Sequence, residues 1–353
     1  MRRALIGLVS ALLWGTACVS AGGAPARPPA AGEAAPAPSI ATPGAAAAPL
    51  GKVRAAYTTV SGSLAPLWLA LDHGLWQRHG LEVELSVIAG APIAIAALLA
   101  GEIQFAYASG ESGLSAQVRE PDLVGILSIN KGITHGLLVQ PGIERLEDLR
   151  GKRIGVFTVG DGNYMLMSRA LRQLGLDPER DVVWTPVGGG NFAGLVQALA
   201  AGSIDATLLP APNDLAAIRN GSHLLLRYKD LGLPWISLIA YTLRSTLEQQ
   251  RPVVEAFAKG IIDGVRLYRA DPALAKEALA RWTGLTDPEA LDWTYEAFRE
   301  SFTDRPFIDL EQMREVLEAL VAHQPEIRQL ALERVIDRSV LESLDRQGYF
   351  AAR

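Results

Sequence analysis

The residues of this 353-residue chain with useful chemistry sit in short polar, glycine-containing runs, each following an apolar run. Thr58, Thr59, Ser61 and Ser63 form the first run, and Ser109 and Glu111 the second. Thr158, Asp161, Asn163 and Tyr164 form the third. Asn191 and Phe192 come after three glycines, and Pro210, Pro212 and Asn213 follow the apolar run 204–209. Trp68 and Trp235 are the aromatic candidates. Hydroxyls, amides and rings of this kind hydrogen-bond a small ligand or stack on it. A carboxylate at Glu111 would add selection for a cation or a hydrogen-bond donor.

They do not compose a catalytic set. Residues 110–113, Gly-Glu-Ser-Gly, fall one residue short of a nucleophile elbow. The run 160–165, Gly-Asp-Gly-Asn-Tyr-Met, misses the dinucleotide fingerprint at its last position. Five histidines without an HExxH or a close pair, and the single Cys18, offer neither a metal site nor an intrachain disulfide. No catalytic residue, metal or cofactor is expected. Each candidate also has a structural reading. The Thr and Ser hydroxyls and Asn191 suit helix caps, Glu111 suits a solvated loop, Trp68 suits packing within its own lobe, and Trp235 suits a buried hinge. His135 reads as structural.

The elements that position these runs alternate. The segment 53–57 alternates as a strand, 66–78 has leucines at helical spacing behind a proline, and 81–88 (LEVELSVI) alternates again. An Ala/Leu-rich helix then runs to residue 100, and a strand covers 103–108. The same order recurs at 152–157, 164–174, 182–186, 192–201 and 204–209. The segments 97–104 (ALLAGEIQ) and 198–205 (ALAAGSID) match as a helix end, a glycine cap and a strand start. Such alternation predicts an α/β fold of two homologous lobes, each a mostly parallel sheet flanked by helices. Ligands of such sheets bind beyond the carboxyl ends of the strands, which places the polar runs on a cleft between the lobes. Segments 126–129, 135–139 and 235–241 read as strands joining the lobes. The chain is helical from 248 on, with breaks near 271–272, 287–288 and 304–306.

The first 18 residues read as an export signal: Arg2 and Arg3, an apolar stretch over 4–14, then Gly-Thr-Ala before Cys18. Small residues before the only cysteine suit lipidation of Cys18, although Gly15 stands where an aliphatic residue is usual; ordinary cleavage after residues 19–21 is the alternative. Residues 19–50 are Ala- and Pro-rich and read as a disordered tether. The chain carries a net charge of −5, and no run beyond the leader is long and apolar enough for a membrane span. A mildly acidic chain without a basic block is a poor nucleic-acid binder.

Residues 66–76 (PLWLALDHGLW), 80–85 (GLEVEL), 97–105 (ALLAGEIQF), 146–156 (LEDLRGKRIGV), 174–178 (LGLDP) and 198–206 (ALAAGSIDA) carry a resemblance. In this order the chain resembles the substrate-binding proteins of ABC importers, and within them the NMT1/THI5-like group of nitrate, sulfonate, taurine and pyrimidine-precursor binders. The resemblance implies a type II periplasmic-binding-protein fold, with lobe 1 over 51–138 and lobe 2 over 139–237. Residues 238–353 would return to lobe 1 and add C-terminal helices. It implies a monomer that captures a small molecule and delivers it to a membrane permease with a cytoplasmic ATPase. No Arg or Lys falls in the cleft loops, which favours a neutral or weakly polar organic ligand over nitrate or sulfonate. Two other functions stay open: a ligand-sensing extracytoplasmic domain, and a pyrimidine-biosynthesis enzyme of the same fold. The absent cysteine motif and the export signal speak against the enzyme.

Overall fold

The computed structural model describes residues 48–187 and 191–351. The export segment with Cys18, most of the 19–50 tether and the glycines at 188–190 lie outside the described residues. The first lobe opens with strand β1 (Gly51–Tyr57), helix α1 (Ala65–Asp72), β2 (Leu81–Val87), α2 (Ala91–Leu99), β3 (Phe105–Ser109), α3 (Gly110–Gln117) and β4 (Leu123–Leu127). The second lobe comprises β5 (Gly136–Val139), β6 (Arg153–Val156), α4 (Gly162–Gln173), β7 (Val183–Pro186), α5 (Phe192–Ala200), β8 (Ala206–Leu209), α6 (Asn213–Arg219) and β9 (His223–Arg227). The chain then returns through β10 (Leu238–Leu243) to α7 (Arg244–Gln249), α8 (Arg251–Ala270), α9 (Pro272–Thr283), α10 (Pro288–Ser301), α11 (Leu310–Val321), α12 (Leu332–Val335) and α13 (Ser339–Arg346). Among the described residues no helix is long and apolar enough to cross a membrane.

Local sequence explains most of these elements. In β2 the alternation buries Leu81 and Val83 and exposes Glu82 and Glu84. The Asp-Pro pairs that interrupt the C-terminal helical region start helices. Asp271 accepts from the backbone N–H groups of Ala273 and Leu274, and Asp287 from that of Glu289, each with proline in the first turn. The helix expected over 66–78 stops at Asp72. Gly74 turns into the left-handed region at φ +61°, the Asp72 carboxylate accepts from Trp282 Nε1 at 2.9 Å, and residues 77–79 form a separate 3-10 turn. The strand expected over 126–129 ends at Leu127 because Ser128 leaves the ladder. Its N–H donates to the Pro306 carbonyl at 3.0 Å and its hydroxyl to the Leu238 carbonyl at 2.7 Å. Trp235, expected in the return strand, precedes β10 by three residues.

The strands form two five-stranded sheets, ordered β2-β1-β3-β10-β4 and β7-β6-β8-β5-β9. The two orders are equivalent. In each, one strand runs against the rest: β10 is antiparallel to β3 and β4, and β5 to β8 and β9. That odd strand arrives from the other lobe in both cases. The lobe boundary expected at 138–139 therefore falls inside β5, which pairs with β8 and β9 from Gly136 onward.

Helices α8 and α13 pack on the first sheet, and α9 and α10 extend the same core by packing on α1 and on each other. There Phe105 stacks on Phe257 at 3.8 Å, and Trp76 stacks on the same ring at 5.7 Å while donating to the Phe257 carbonyl at 3.0 Å. Helix α8 approaches α1 so closely that a Cβ on Gly264 would stand 2.0 Å from the Pro66 carbonyl oxygen.

Candidate functional site

Loops from the carboxyl ends of strands in both sheets meet around a chamber of about 130 Å³. From the first lobe come Thr59, Ser61 and Ser63, which follow β1. Ser61 Oγ accepts from the Ser63 N–H at 3.4 Å, which fixes the turn. Helix α10 adds Phe298 and Ser301. The turn presses so tightly on α10 that a Cβ on Gly62 would lie 2.6 Å from the Phe298 ring. The second lobe supplies Phe192 at the start of α5, and Pro210. The segments crossing between lobes supply Asn130, Gly132, Ile133, Thr134, His135 and Ser237.

Among the described residues every side chain lining the chamber is uncharged or a histidine, and burial pulls the His135 imidazole down to about 4. Three polar atoms in this wall are buried without a hydrogen-bond partner: Asn130 Oδ1, His135 Nδ1 and Ser301 Oγ. Asn130 and Ser301 are 6% and 9% exposed. The Phe192 ring stands edge-on to His135 at 5.6 Å and to Phe157 at 5.1 Å. A groove on the same side shares Thr134 with the chamber and carries Arg227, Lys229, Glu289, Asp292, Glu296 and Glu300.

The lobes also meet at the start of α3 and α4. Glu111 Oε1 lies 2.5 Å from where a Cβ on Gly162 would stand, so any side chain at 162 would have to displace the Glu111 carboxylate. Burial pushes the Glu111 carboxyl up to about 7, with a smaller upward push from the charge of Asp161, while a hydrogen bond with Ser109 opposes it. Ser109 Oγ donates to Ser112 Oγ at 3.0 Å. Asp161 caps α4: it accepts from the N–H groups of Tyr164 and Thr158, each at 2.7 Å, and burial raises its carboxyl above the usual range.

A third contact lies between α6 and α10. Asp214, fully buried, accepts from Trp293 Nε1 at 3.1 Å and pairs with Arg227 at 2.5 Å. Arg227 also stands over the Trp293 ring at 5.3 Å. Arg219 pairs with Asp287 and Glu289 nearby, and Arg169 of α4 pairs with Glu315 of α11 at 2.5 Å.

The structure thus distributes the sequence candidates. Thr59, Ser61, Ser63 and Phe192 line the chamber, whereas Ser109, Glu111, Thr158 and Asp161 gather at the α3–α4 contact. Trp68 is fully buried in the first lobe, stacked on Trp282 at 5.8 Å, and Trp235 is 2% exposed. The Tyr164 hydroxyl donates to Glu179 at 2.7 Å, away from the chamber. Asn163 donates to the Leu208 carbonyl at 3.3 Å, and Asn191 caps α5 by accepting from the Gly194 N–H at 2.8 Å. Pro212, joined to Ala211 by a cis bond, and Asn213 lie outside the chamber wall. The sequence reading sets His135 aside as structural, yet it stands in the wall. Asn130, Thr134, Phe298 and Ser301 were not singled out, because their segments carry no local pattern and only tertiary contact unites them.

Two equivalent sheets joined by crossing segments, with a polar chamber between their loops, define a two-lobed periplasmic-binding-protein architecture. The family model described as NMT1/THI5 like matches residues 61–275, and the chain belongs to that family. The taurine-binding periplasmic protein of Escherichia coli K12 is 29% identical over 205 residues, 57% of this chain and 62% of that protein. A Brucella abortus protein named only for binding is 31% identical over 121 residues, which span 33% of this chain and 37% of that protein. Among solved structures, the aliphatic sulphonate binding protein SsuA of Escherichia coli superposes with a TM-score of 0.68 at 19% identity, covering 81% of this chain and 92% of its own. The alkanesulfonate-binding SsuA of Xanthomonas axonopodis pv. citri, bound to MOPS, gives 0.63 at 22% identity, covering 83% and 100%. These likenesses establish the shared fold.

Proposed function

We propose that the chain is the exported substrate-binding component of an ABC importer, not an enzyme. It captures a small organic molecule between its lobes and presents it to a membrane permease driven by a cytoplasmic ATPase. The observation that carries this reading is the interlobe chamber, whose wall joins both lobes and both crossing segments. A ligand there touches everything that must move together on closure, so binding energy favours the closed form. Family membership and the likeness to binding proteins support the same reading. The ligand-contacting set in this reading is Thr59, Ser61, Ser63, Asn130, His135, Phe192 and Ser301. We assign the leader to export and Cys18 to lipidation, with residues 19–50 as the leash of a monomeric domain held near the membrane.

The test is a thermal-shift screen of the full chain against sulfonates, nitrate, pyrimidines, aromatic acids and amines. Solution scattering with and without the strongest compound follows. A ligand at a hundredfold its Kd adds about 2.7 kcal/mol to folding, several degrees in Tm, and scattering should show contraction. Melting unchanged by every compound, together with failure to co-purify with any membrane permease, would overturn the reading.

A further inference from the structure

Resting on the reading that the lobes close on a ligand, we propose that closure is salt-responsive. The facing sides of the two lobes carry opposite charge and attract one another, and the ionic strength of the medium sets how readily they shut.

The ion pairs that cross between the lobes all have the same polarity. Arg219, in the last turn of α6, pairs with Asp287 and Glu289 at the start of α10. Lys229, in the turn after β9, pairs with Glu300 near the end of α10 at 3.1 Å. Arg169 of α4 pairs with Glu315 of α11 at 2.5 Å. Among the described residues, then, three cations of lobe 2 meet four carboxylates on helices of lobe 1. The other ion pairs of these residues each stay within one lobe. Within α10, Asp292 and Glu296 are matched by Lys276 and Arg299 of their own lobe. Asp287, Glu289 and Glu300 find their cations only across the boundary. Arg227 of lobe 2 extends the pattern by standing over the Trp293 ring of α10 at 5.3 Å. The pairing is felt by the carboxylates: Arg219 holds Asp287, and Lys229 holds Glu300, below the usual carboxylate range.

A single exposed pair contributes little. These pairs form and break together as the lobes move, and their uniform sign adds attraction at longer range. The partners of α10 are open to solvent, with the Arg219, Lys229 and Glu300 side chains 42%, 59% and 66% exposed, so dissolved ions screen them. The screening length shrinks from about 10 Å at 0.1 M to about 3 Å at 1 M ionic strength. Arg169 is only 18% exposed, and its pair with Glu315 should be the last to weaken. Apparent ligand affinity follows the closed fraction, so capture should weaken in concentrated salt whatever the charge of the ligand.

Solution scattering of the dialysed, unliganded full chain tests this without a ligand. Between 0.02 and 1 M NaCl the radius of gyration should rise as the closed-to-open ratio falls about fivefold or more. KCl should act identically, and sucrose of equal osmolality should cause no expansion. Arg219→Glu combined with Lys229→Glu should be expanded at 0.02 M NaCl and should not expand further with salt. Adding Glu289→Arg, Glu300→Lys and Asp287→Asn, the last of which keeps a capping side chain on α10, should restore the compact form. Far-ultraviolet circular dichroism confirms folding, and where a variant fails to fold the salt series on the unaltered chain decides. A radius of gyration that is constant or falls with salt, or equal expansion in sucrose, overturns the inference. So does a folded double variant as compact at 0.02 M as the unaltered chain, or a folded polarity-restored variant that stays expanded. None of these results bears on ligand capture itself, which the compound screen and permease co-purification decide.

Discussion

At the hinge end of the cleft the two lobes enclose neutral side chains short of hydrogen-bond partners. At the α3–α4 contact they press a carboxylate, Glu111, against the backbone at Gly162. In the importer reading the first region receives a ligand from outside the chain. The second is complementary to itself, and its chemistry depends on whether Glu111 carries a proton. In that reading recognition and closure fall to different residues, so each could be disabled while the other is left in place.

The largest effect should come from Gly162→Leu. A side chain there collides with Glu111 and holds the lobes apart, while the chamber-lining residues are unchanged. Affinity falls with the closed fraction, here by about a hundredfold or more, and scattering should show that ligand no longer contracts the protein. Contraction with unchanged affinity would mean that the α3–α4 contact does not govern closure.

Glu111→Gln probes the same contact through pH. The Glu111 carboxyl is raised from 4.5 to about 7, so its protonated form favours the folded protein. That stabilisation is whole below about 4.5 and is lost as pH rises to about 7, a change of at most about 3 kcal/mol. Melting temperature measured from pH 4 to 8 should fall less steeply over that window in Glu111→Gln.

His135 has the opposite sign. Its imidazole is lowered from 6.5 to about 4, so the neutral ring stabilises the fold above about 6.5 and this is lost as pH falls toward 4. His135→Gln should flatten the acid limb of the same melting series and leave the limb above pH 7 alone. Identical acid limbs would remove His135 from the buried wall. The smallest change is expected from Trp293→Phe, which deletes one hydrogen bond to Asp214 and weakens closure by about 1 kcal/mol, or about fivefold in ligand affinity.

The same division explains what could be read from sequence. The strands and helices obey local periodicity, so the LEVELSV strand and the two Asp-Pro helix starts are legible residue by residue. The loops after β1 and before α5 are legible too, since glycine and hydroxyl runs between apolar segments mark strand ends. Trp68 could have faced either way, and only the stacked Trp282, more than 200 residues later, assigns it to the core. Asn130 and Ser301 meet because a crossing segment lies beside the end of α10, with the Lys131 N–H donating to the Ser301 carbonyl at 2.8 Å. Nothing near either residue in the sequence announces that meeting. Glu111 was visible as a candidate, but its partner across the cleft is a glycine, which has no side chain to attract notice.

The exchange of one strand between the sheets bears on the order in which the chain can assemble. All five strands of the second sheet lie between Gly136 and Arg227, whereas the first sheet lacks its fourth member until Leu238–Leu243 has appeared. A chain emerging from its N-terminus therefore has every strand of the second sheet available before those of the first. β3 can pair with β1, but it is not linked to β4 until β10 arrives from more than 100 residues downstream. The part of the molecule made first is the part finished last.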